Sequence, residues 1–337
     1  MILAVEMLHS IGANNAILQG PERRGRTASH HQGTIFQILQ MDNFLSGLGG
    51  IILGNQIKVT VKDVLVLLGG GVMATAIARR IGAGKKILLG TPNPEKLEKD
   101  AEALRRSGYD VATKTVNAMD KDSIEAFAAY ASTLGEIKYF IDSAGASPNQ
   151  ASPEHIIQLD LVGTAWALDA FGPVMANGGA GLVISSQAGY MMPMSHEVEQ
   201  QLATLPAENL TELDIVSQTA MERSGNAYMV AKRCNHLRVR TAAATTWGDR
   251  GARINTISPG IIVTPLAYDE FNANGAGYQA MIDASPAKRV GTADEIAELG
   301  AFLLSDKAGF ITGTDILIDG GVIAAMNSGR FGLTSSR

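Results

Sequence analysis

What the sequence lacks limits the classes of protein to which it can belong. It has one cysteine, Cys234, which excludes an internal disulfide framework and fits a reducing compartment. Its formal charge is -5, so it lacks the basic surplus that attracts DNA or RNA. It also lacks an apolar run of the about 20 residues that a membrane-spanning helix requires. Its first residues lack the basic start of a secretory signal. We therefore expect a cytoplasmic protein with no nucleic-acid or membrane partner.

Metal-binding patterns are also scarce. His30 and His31 are adjacent, but no cysteine or carboxylate follows at ligand spacing, so a solvated loop is the simpler interpretation. We predict no metal site. Both histidines lie in residues 1–60, a turn-rich and glycine-broken stretch without recognisable chemistry. This stretch is interpreted as an N-terminal extension of unknown role, in which Met41 is an alternative natural start.

From Lys62 onward the sequence becomes regular. Short apolar runs alternate with helix-length amphipathic segments, which is typical of βα units on a parallel sheet. The runs are continuous, as strands covered by helices on both faces require. Seven runs predict seven strands in one α/β domain over residues 61–337: "DVLVLLG", "KKILLG", "DVATKTV", "IKYFIDSAG", "GLVISS", "ARINTISPG" and "DILIDGG".

A glycine-rich turn connects the first predicted strand to a helix. Gly69, Gly71 and Ala74 match G-x-G-x-x-A in the strand-to-helix context that dinucleotide binding needs. Gly69 allows the tight turn, Gly71 lets the backbone approach a pyrophosphate, and Ala74 permits close helix packing. The alternative is a glycine-rich turn that binds nothing. With further βα units downstream, the pattern favours a dinucleotide site.

The end of the second predicted strand bears on which dinucleotide binds. NAD sites usually have an acidic residue about 20 residues after the glycines, which accepts a hydrogen bond from the ribose 2'-hydroxyl. Here that position is Thr91, which would not repel a 2'-phosphate. We therefore expect NADP(H) rather than NAD(H), although the loop has no arginine. Asn93 and Lys96 are candidate donors to the phosphate, or they merely begin the next helix.

Over residues 62 to about 325 the sequence resembles the short-chain dehydrogenase/reductase family. The motifs that carry the resemblance occur in the family's order, followed by a stretch similar to its last helix and strand from residue 289. They are "DSAG" (142–145) where the family has N-N-A-G, "ISSQAG" (184–189) at the end of the fifth strand, "YMVAK" (228–232) as YxxxK and "SPGIIVT" (258–264) as P-G-x-x-x-T. The resemblance implies a doubly wound, Rossmann-type parallel sheet in the order 3-2-1-4-5-6-7.

The resemblance also implies a mechanism. Tyr228 and Lys232 are four residues apart, which places them on one face of a helix. The family's tyrosine exchanges a proton with the substrate oxygen, its lysine favours the phenolate and binds the nicotinamide ribose, and its serine, here Ser186, polarises the carbonyl. A phenol is otherwise a poor base at neutral pH, because its pKa is near 10. The implied cofactor-binding positions are Gly69, Gly71, Val72, Met73, Thr91, Asn93, Asn117, Ala144, Gly145, Tyr228, Lys232, Pro259, Gly260, Ile262 and Thr264.

Three positions depart from the family pattern. The glycine loop reads "LLGGGVMA" instead of T-G-x-x-x-G-x-G. Asn117 stands where the family commonly has an aspartate that faces adenine. Asp160 stands where an asparagine often completes a proton relay, so Asp160 is a candidate catalytic residue. A carboxylate there could still order water, but its charge would raise the pKa of nearby acids or oppose phenolate formation.

We therefore predict an oxidoreductase that transfers a hydride between NADP(H) or NAD(H) and a ketone or secondary alcohol. A sugar-nucleotide epimerase or dehydratase uses the same residue pair, but the sequence after Tyr228 matches only the last strands and helices of the family. A dinucleotide-sensing protein with an inactive site is a rival of another class. Ser186, Tyr228 and Lys232 are all present, which argues against it.

The stretch 190–226 is longer than the family needs between its serine and its tyrosine. Apolar residues at helical spacing predict two short helices, "HEVEQQLATL" and "LTELDIVSQTAMERS". We interpret the stretch as a lid whose methionines, Met191, Met192 and Met194, line an apolar substrate pocket. An oligomer contact is the alternative. The family itself suggests a homo-oligomer, a tetramer or a dimer, built partly on the helix that carries Tyr228.

Overall fold

The computed structural model describes residues 62–330. The predicted N-terminal extension, residues 1–60, therefore lies outside the described residues. Nine strands are found in the described part: β1 Asp63–Leu68, β2 Lys86–Gly90, β3 Asp110–Thr113, β4 Glu136–Asp142, β5 Met175–Ile184, β6 Arg253–Pro259, β7 Ile262–Val263, β8 Gly291–Thr292 and β9 Asp315–Ile318. All pairings between them are parallel.

Seven of these strands form the main sheet, in the order β3-β2-β1-β4-β5-β6-β9. The seven strands predicted from the apolar runs correspond to these seven, and the doubly wound order is confirmed. The short strands β7 and β8 pair with each other in a separate two-stranded sheet.

Helices connect the strands. The α-helices of the described residues are α1 Val72–Ile81, α2 Pro94–Arg105, α3 Lys121–Leu134, α4 Pro153–Ile156, α5 Thr164–Phe171, α6 His196–Thr204, α7 Ser224–Ala244, α8 Thr246–Asp249, α9 Pro265–Ala284, α10 Ala293–Leu304 and α11 Val322–Asn327. Their starts follow local chemistry. Asn93 caps α2 by accepting from the Lys96 amide, Asp120 caps α3, and Thr292 and Glu295 form a capping box on α10.

The sheet is buried on both faces, as its continuous apolar runs predict. Alternate residues of β1 point to opposite sides: Val64 and Val66 belong to one apolar cluster, and Leu65 and Leu67 to another. Helices α3, α5 and α7 contribute to the first cluster, and helices α1, α2 and α10 to the second. Because helices cover both faces of the sheet, a ligand can reach it only at the loops that follow the ends of the strands.

The insertion, residues 190–226, begins with helix α6, which confirms the first of the two predicted helices. The second predicted helix is present as a series of short helical turns and not as one α-helix. These are a 3₁₀ segment, Ala207–Glu212, a π-helical turn, Ile215–Thr219, and a second 3₁₀ turn, Ala220–Glu222. Pro206, directly before these turns, has no backbone N–H for a helix interior.

The middle of the insertion packs against α7, the helix that carries Tyr228. Leu202, Leu210 and Val216 are fully buried in a third apolar cluster with α7 residues, including Cys234. Arg238 donates to the backbone oxygen of Leu205 at 2.7 Å. The insertion is therefore part of the protein core on this side of α7.

This packing changes one expectation and leaves another as a prediction. Of the three methionines predicted to line a pocket, Met192 and Met194 pack against the third cluster instead, because the chain packs against α7 at this point. No residue from Asn226 to Val239 is exposed, because the insertion and the sheet core both pack against this part of α7. The oligomer contact expected on this helix stays a prediction.

We predict that Leu202→Ala destabilises the protein by about 2–5 kcal/mol, because it removes a fully buried side chain from the contact between insertion and α7. The free energy of unfolding in urea measures the loss. Gln201→Ala, at the exposed neighbouring position of α6, is the matched control and should change stability little. Equal stability of the two variants would contradict a core role for the insertion.

Candidate active site

The glycine loop between β1 and α1 has the geometry that a dinucleotide loop needs. Gly69 has φ +92°, and a Cβ added there would lie 2.6 Å from the Ala144 amide nitrogen. Only glycine fits this close approach. Gly71 differs, since a Cβ there would meet nothing within 4 Å and would point into open space. Ala74 is fully buried, as predicted for the close-packed position.

A cavity of about 360 Å³ opens above this loop at the C-terminal ends of the strands. Seven of the predicted cofactor-binding residues line it: Gly69, Gly71, Thr91, Asn93, Asn117, Ala144 and Gly145. The residues lining it that sequence reasoning did not predict include Gly70, Met119, Ser143, His155 and Leu159. These follow β1, β3 and β4 or begin the next helix, positions that a strand-order argument could have identified.

Thr91 follows β2 and is nearly buried in this cavity wall. The side-chain oxygen of Asn93 is occupied, because it accepts from the Lys96 amide at 2.9 Å and caps α2. Lys96 lines the cavity, and its ammonium pairs with Asp100 on the next turn. Asn117 likewise uses its side-chain oxygen locally, accepting from the Met119 amide at 3.1 Å. The cap uses only the oxygen of Asn93, so its side-chain NH2 group is still a donor at the cavity, and Lys96 brings its charge to the same cavity.

A second cavity, of about 340 Å³, contains the predicted reactive groups. Ser186 follows β5 and Tyr228 lies in the first turns of α7, and both line this cavity. The Ser186 hydroxyl oxygen accepts from the Ala188 amide at 3.1 Å, which fixes the side chain at the start of a 3₁₀ turn, Gln187–Tyr190. The structure thus brings a phenol and a hydroxyl to one cavity from two different elements.

The end of β6 and the loop after it also line the second cavity. They contribute Pro259, Gly260, Ile262 and Thr264, as predicted, and α1 contributes Met73. A Cβ on Gly260 would lie 2.6 Å from the Asp319 Cα, so this position also requires glycine. The exposed Val72 lines neither cavity.

Lys232 and Asp160 lie behind the cavity walls and form a buried ion pair. Lys232 Nζ is 2.9 Å from Asp160 Oδ2, and the side chains are 5% and 0% exposed. This distance is that of a charge-assisted hydrogen bond, with the ammonium donating to the carboxylate. Asp160 Oδ1 accepts from the Ala146 amide at 2.8 Å. Gly145 covers the pair, since a Cβ there would lie 3.1 Å from Asp160 Oδ2.

The electrostatics around Lys232 follow from this pairing. Burial alone would lower the pKa of Lys232, but the negative charge of Asp160 offsets it and holds that pKa above its ordinary value. Burial acts on Asp160 in the opposite sense and raises its pKa, while the ammonium counteracts the rise. The two pKa directions disagree, because a raised pKa of Lys232 favours the charged ammonium whereas a raised pKa of Asp160 favours the neutral carboxylic acid. The 2.9 Å contact supports the charged form of both groups. Asp160 lies in a π-helical segment, Ile157–Gly163, between α4 and α5.

Asp142 is the charged neighbour that sequence reasoning missed. It ends β4 at 2% exposure, and burial raises its pKa to about 7. Its Oδ1 accepts from the Ala144 amide at 3.1 Å. The signal was present in "DSAG", which has a carboxylate where N-N-A-G has an amide.

A buried polar network holds the 3₁₀ turn that follows Ser186, Gln187–Tyr190. His236 Nε2 lies 2.8 Å from the Ser258 hydroxyl, which donates to Asp315 at 2.8 Å. Tyr190, the last residue of this turn, also donates to Asp315. Burial lowers the pKa of His236 to about 4, so the ring is neutral at pH 7. The network ties the segment after Ser186 to β6 and β9.

Comparisons with known proteins agree with this architecture. The short chain dehydrogenase family model matches residues 62–198, and one described as enoyl-(acyl carrier protein) reductase matches residues 191–323. The chain is 38% identical over 269 residues to the short-chain dehydrogenase/reductase bsc3 of Alternaria brassicicola, covering 79% of this chain and 97% of that protein. It belongs to the short-chain dehydrogenase/reductase family. The resemblance inferred from the motifs is confirmed.

Further relatives of this short-chain dehydrogenase/reductase are named oxidoreductases. An NADP-dependent mannitol dehydrogenase of Hypocrea jecorina is 31% identical over 265 residues, covering 75% of this chain and 87% of that protein. A solved short-chain dehydrogenase/reductase from Mycobacterium ulcerans, 22% identical, aligns with a TM-score of 0.62 over 78% of this chain and 90% of that one, which supports the fold. In the described residues no helix has the length and apolar character needed to cross a bilayer.

The glycine loop generates a paired prediction. Gly69→Ala should lower the free energy of unfolding by about 1–3 kcal/mol, because its φ and its contact with Ala144 are unfavourable for a side chain. Gly71→Ala should keep wild-type stability and weaken NADPH binding, because its methyl group points into open space at the cavity. Thermal unfolding and NADPH titration measure the two effects. Unchanged NADPH affinity in Gly71→Ala would argue against this loop as the cofactor site.

Proposed function

We propose that the protein transfers a hydride between NADP(H) and a ketone or secondary alcohol, with Tyr228 exchanging the proton of the substrate oxygen. The observation that carries the proposal is that Ser186 and Tyr228 line the second cavity together with Pro259 and Gly260. When bound, the nicotinamide supplies or accepts the hydride. The protein supplies placement of the substrate oxygen and a proton at the Tyr228 hydroxyl.

The two cavities fit the two ends of a dinucleotide. Gly71 lines the first cavity and Met73, two residues on, lines the second, so the glycine loop borders both. The amide groups at the N-terminus of α1 suit the pyrophosphate, because a helix N-terminus favours anions. Gly145 and Asn117 would contact the adenosine half. Thr264 would hold the carboxamide end, beside the reactive residues.

The roles of the reactive residues follow from their positions. The Ser186 hydroxyl, held by the Ala188 amide, would donate to the carbonyl oxygen and stabilise the negative charge that develops there. Tyr228, which lines the same cavity, would donate the proton in reduction and accept it in oxidation. Lys232 lies behind Tyr228, with its ammonium 5.2 Å from the ring centroid, where it would act on the phenol and on the ribose.

The lining of the second cavity supports an apolar substrate. Four methionines contribute to it: Met73, Met191, Met229 and Met281. Thioether side chains adapt to irregular apolar shapes and offer no strong hydrogen bond to a polyol. We therefore propose a cyclic or branched apolar ketone, or its alcohol, as the substrate class. A panel that compares apolar cyclic ketones with open-chain ketoses, each with NADPH and NADH, tests it.

For the cofactor, we propose NADP(H). Thr91 supports it, because no carboxylate stands at the position that would repel a 2'-phosphate. Lys96 supports it too, because it brings a positive charge to the same cavity. The pairing of Lys96 with Asp100 reduces that attraction and fixes where the ammonium lies.

We predict that Tyr228→Phe lowers turnover about 10²- to 10⁴-fold, because it removes the exchangeable proton and keeps the ring. NADPH binding should remain. Steady-state rates and fluorescence titration of NADPH measure the two. Tyr130→Phe is the matched control on α3, where the ring contacts Lys114 and lines neither cavity. Near-wild-type turnover in Tyr228→Phe would remove Tyr228 from the mechanism.

A second prediction concerns Thr91. Thr91→Asp should shift the ratio of NADPH to NADH affinity toward NADH by about tenfold or more, because a carboxylate repels a 2'-phosphate and accepts from a 2'-hydroxyl. The asparagine in Thr91→Asn has nearly the same shape as the aspartate in Thr91→Asp but carries no charge, so comparing the two variants isolates the electrostatic effect. If the unsubstituted protein binds NADH tightly and NADPH not at all, the proposed preference is wrong.

A further inference from the structure

Lys232 is shared between a carboxylate and a phenol. Its ammonium contacts Asp160 Oδ2 at 2.9 Å and lies 5.2 Å from the centre of the Tyr228 ring. The lysine and the aspartate are both buried, so water screens their charges little. The position of the ammonium is therefore set as much by the carboxylate as by the phenol.

This arrangement changes what the lysine does to the tyrosine. An isolated ammonium next to a phenol stabilises the phenolate, whereas a carboxylate in contact with that ammonium cancels much of its field. The Lys232–Asp160 pair carries no net charge. This neutral pair therefore stabilises the Tyr228 phenolate less than a lysine would if its neighbour were an uncharged amide.

Several other titratable groups face this pair. Asp142 of β4, together with Tyr228 and His236 of α7, acts on Lys232, and His155 of α4 acts on Asp160. His236 is neutral at pH 7, because burial lowers its pKa to about 4. Burial raises the pKa of Asp142 to about 7. In its ionised form Asp142 adds a negative charge beside the Lys232–Asp160 pair, and this charge opposes ionisation of Tyr228.

We infer that Asp160 is a positioning residue that holds the Lys232 ammonium against the π-helical segment and keeps Tyr228 protonated through the neutral pH range, which suits the site to carbonyl reduction. The inference rests on the proposed function. In that reduction the carbonyl carbon gains a hydride from the reduced nicotinamide, and the carbonyl π electrons move to the oxygen. The oxygen takes the proton of the Tyr228 hydroxyl and leaves a phenolate. A proton from the solvent then restores the Tyr228 hydroxyl.

The test is Asp160→Asn, which keeps the side-chain shape and the acceptor for the Ala146 amide. Tyr228 ionisation is followed by ultraviolet difference titration between each protein and its Tyr228→Phe derivative, with NADP⁺ bound. Asp160→Asn should lower the ionisation midpoint by about one pH unit, because it removes the carboxylate and frees the ammonium to act on the phenol. The pH profile of alcohol oxidation should move down by a similar amount.

Asp169→Asn is the matched control. Asp169 lies on α5 with a side chain that is 58% exposed, and its charged partner is Arg238, 3.9 Å away. Removing this carboxylate should leave the Tyr228 midpoint and the pH profile unchanged. A shift of equal size in both variants would contradict a specific role for Asp160.

Three outcomes decide the inference. A downward shift in Asp160→Asn alone supports it. An unshifted midpoint in a folded Asp160→Asn protein overturns it. If that variant does not fold, the unsubstituted protein without cofactor decides: a Tyr228 midpoint below the pKa of an ordinary phenol, about 10, overturns the inference, because the ammonium then acts on the phenol unopposed, and a midpoint at or above that value supports it. The titration needs no substrate, so absence of turnover would count against the proposed function while this measurement still stands.

Discussion

The structure depends on a parallel sheet that is covered on both faces. Because β1 to β6 and β9 are buried above and below, polar and conformationally demanding groups gather where the strands end. Gly69, Asp142 and Ser186 all occupy such ends, on three neighbouring strands. The two cavities lie at the C-terminal ends of the strands. One packing constraint thus places the glycine loop, the serine and the buried carboxylates within one region.

Much of this organisation could be predicted from local patterns. The seven apolar runs predicted the strands, because continuous burial leaves a continuous signal in the sequence. The motifs placed Ser186 and Tyr228 beside each other because strand ends and the first turns of a helix have fixed positions in this topology. Ala74 was predicted as a packing position for the same reason and is fully buried.

Other features depend on tertiary contacts that no local pattern records. Asn93 has a second role that the motif does not show, because its oxygen caps α2 while its NH2 group is at the cavity. Asp160 is an unusual residue for its position in the motif, but its contact with Lys232 requires the π-helical segment to turn its carboxylate inward. Apolar spacing in the insertion indicates burial but not the surface against which the residues pack. Met192 and Met194 consequently pack against the third cluster instead of lining the second cavity.

The position of the insertion along the chain also affects the order in which the protein can assemble. Its segments precede α7 in the sequence, so they leave the ribosome before the helix that they cover. The apolar residues of α7 therefore emerge next to a surface that is already synthesised, which shortens the time for which they face solvent. The last strand of the sheet, β9, follows much later. An apolar helix with its cover encoded directly upstream has little opportunity for wrong association during synthesis.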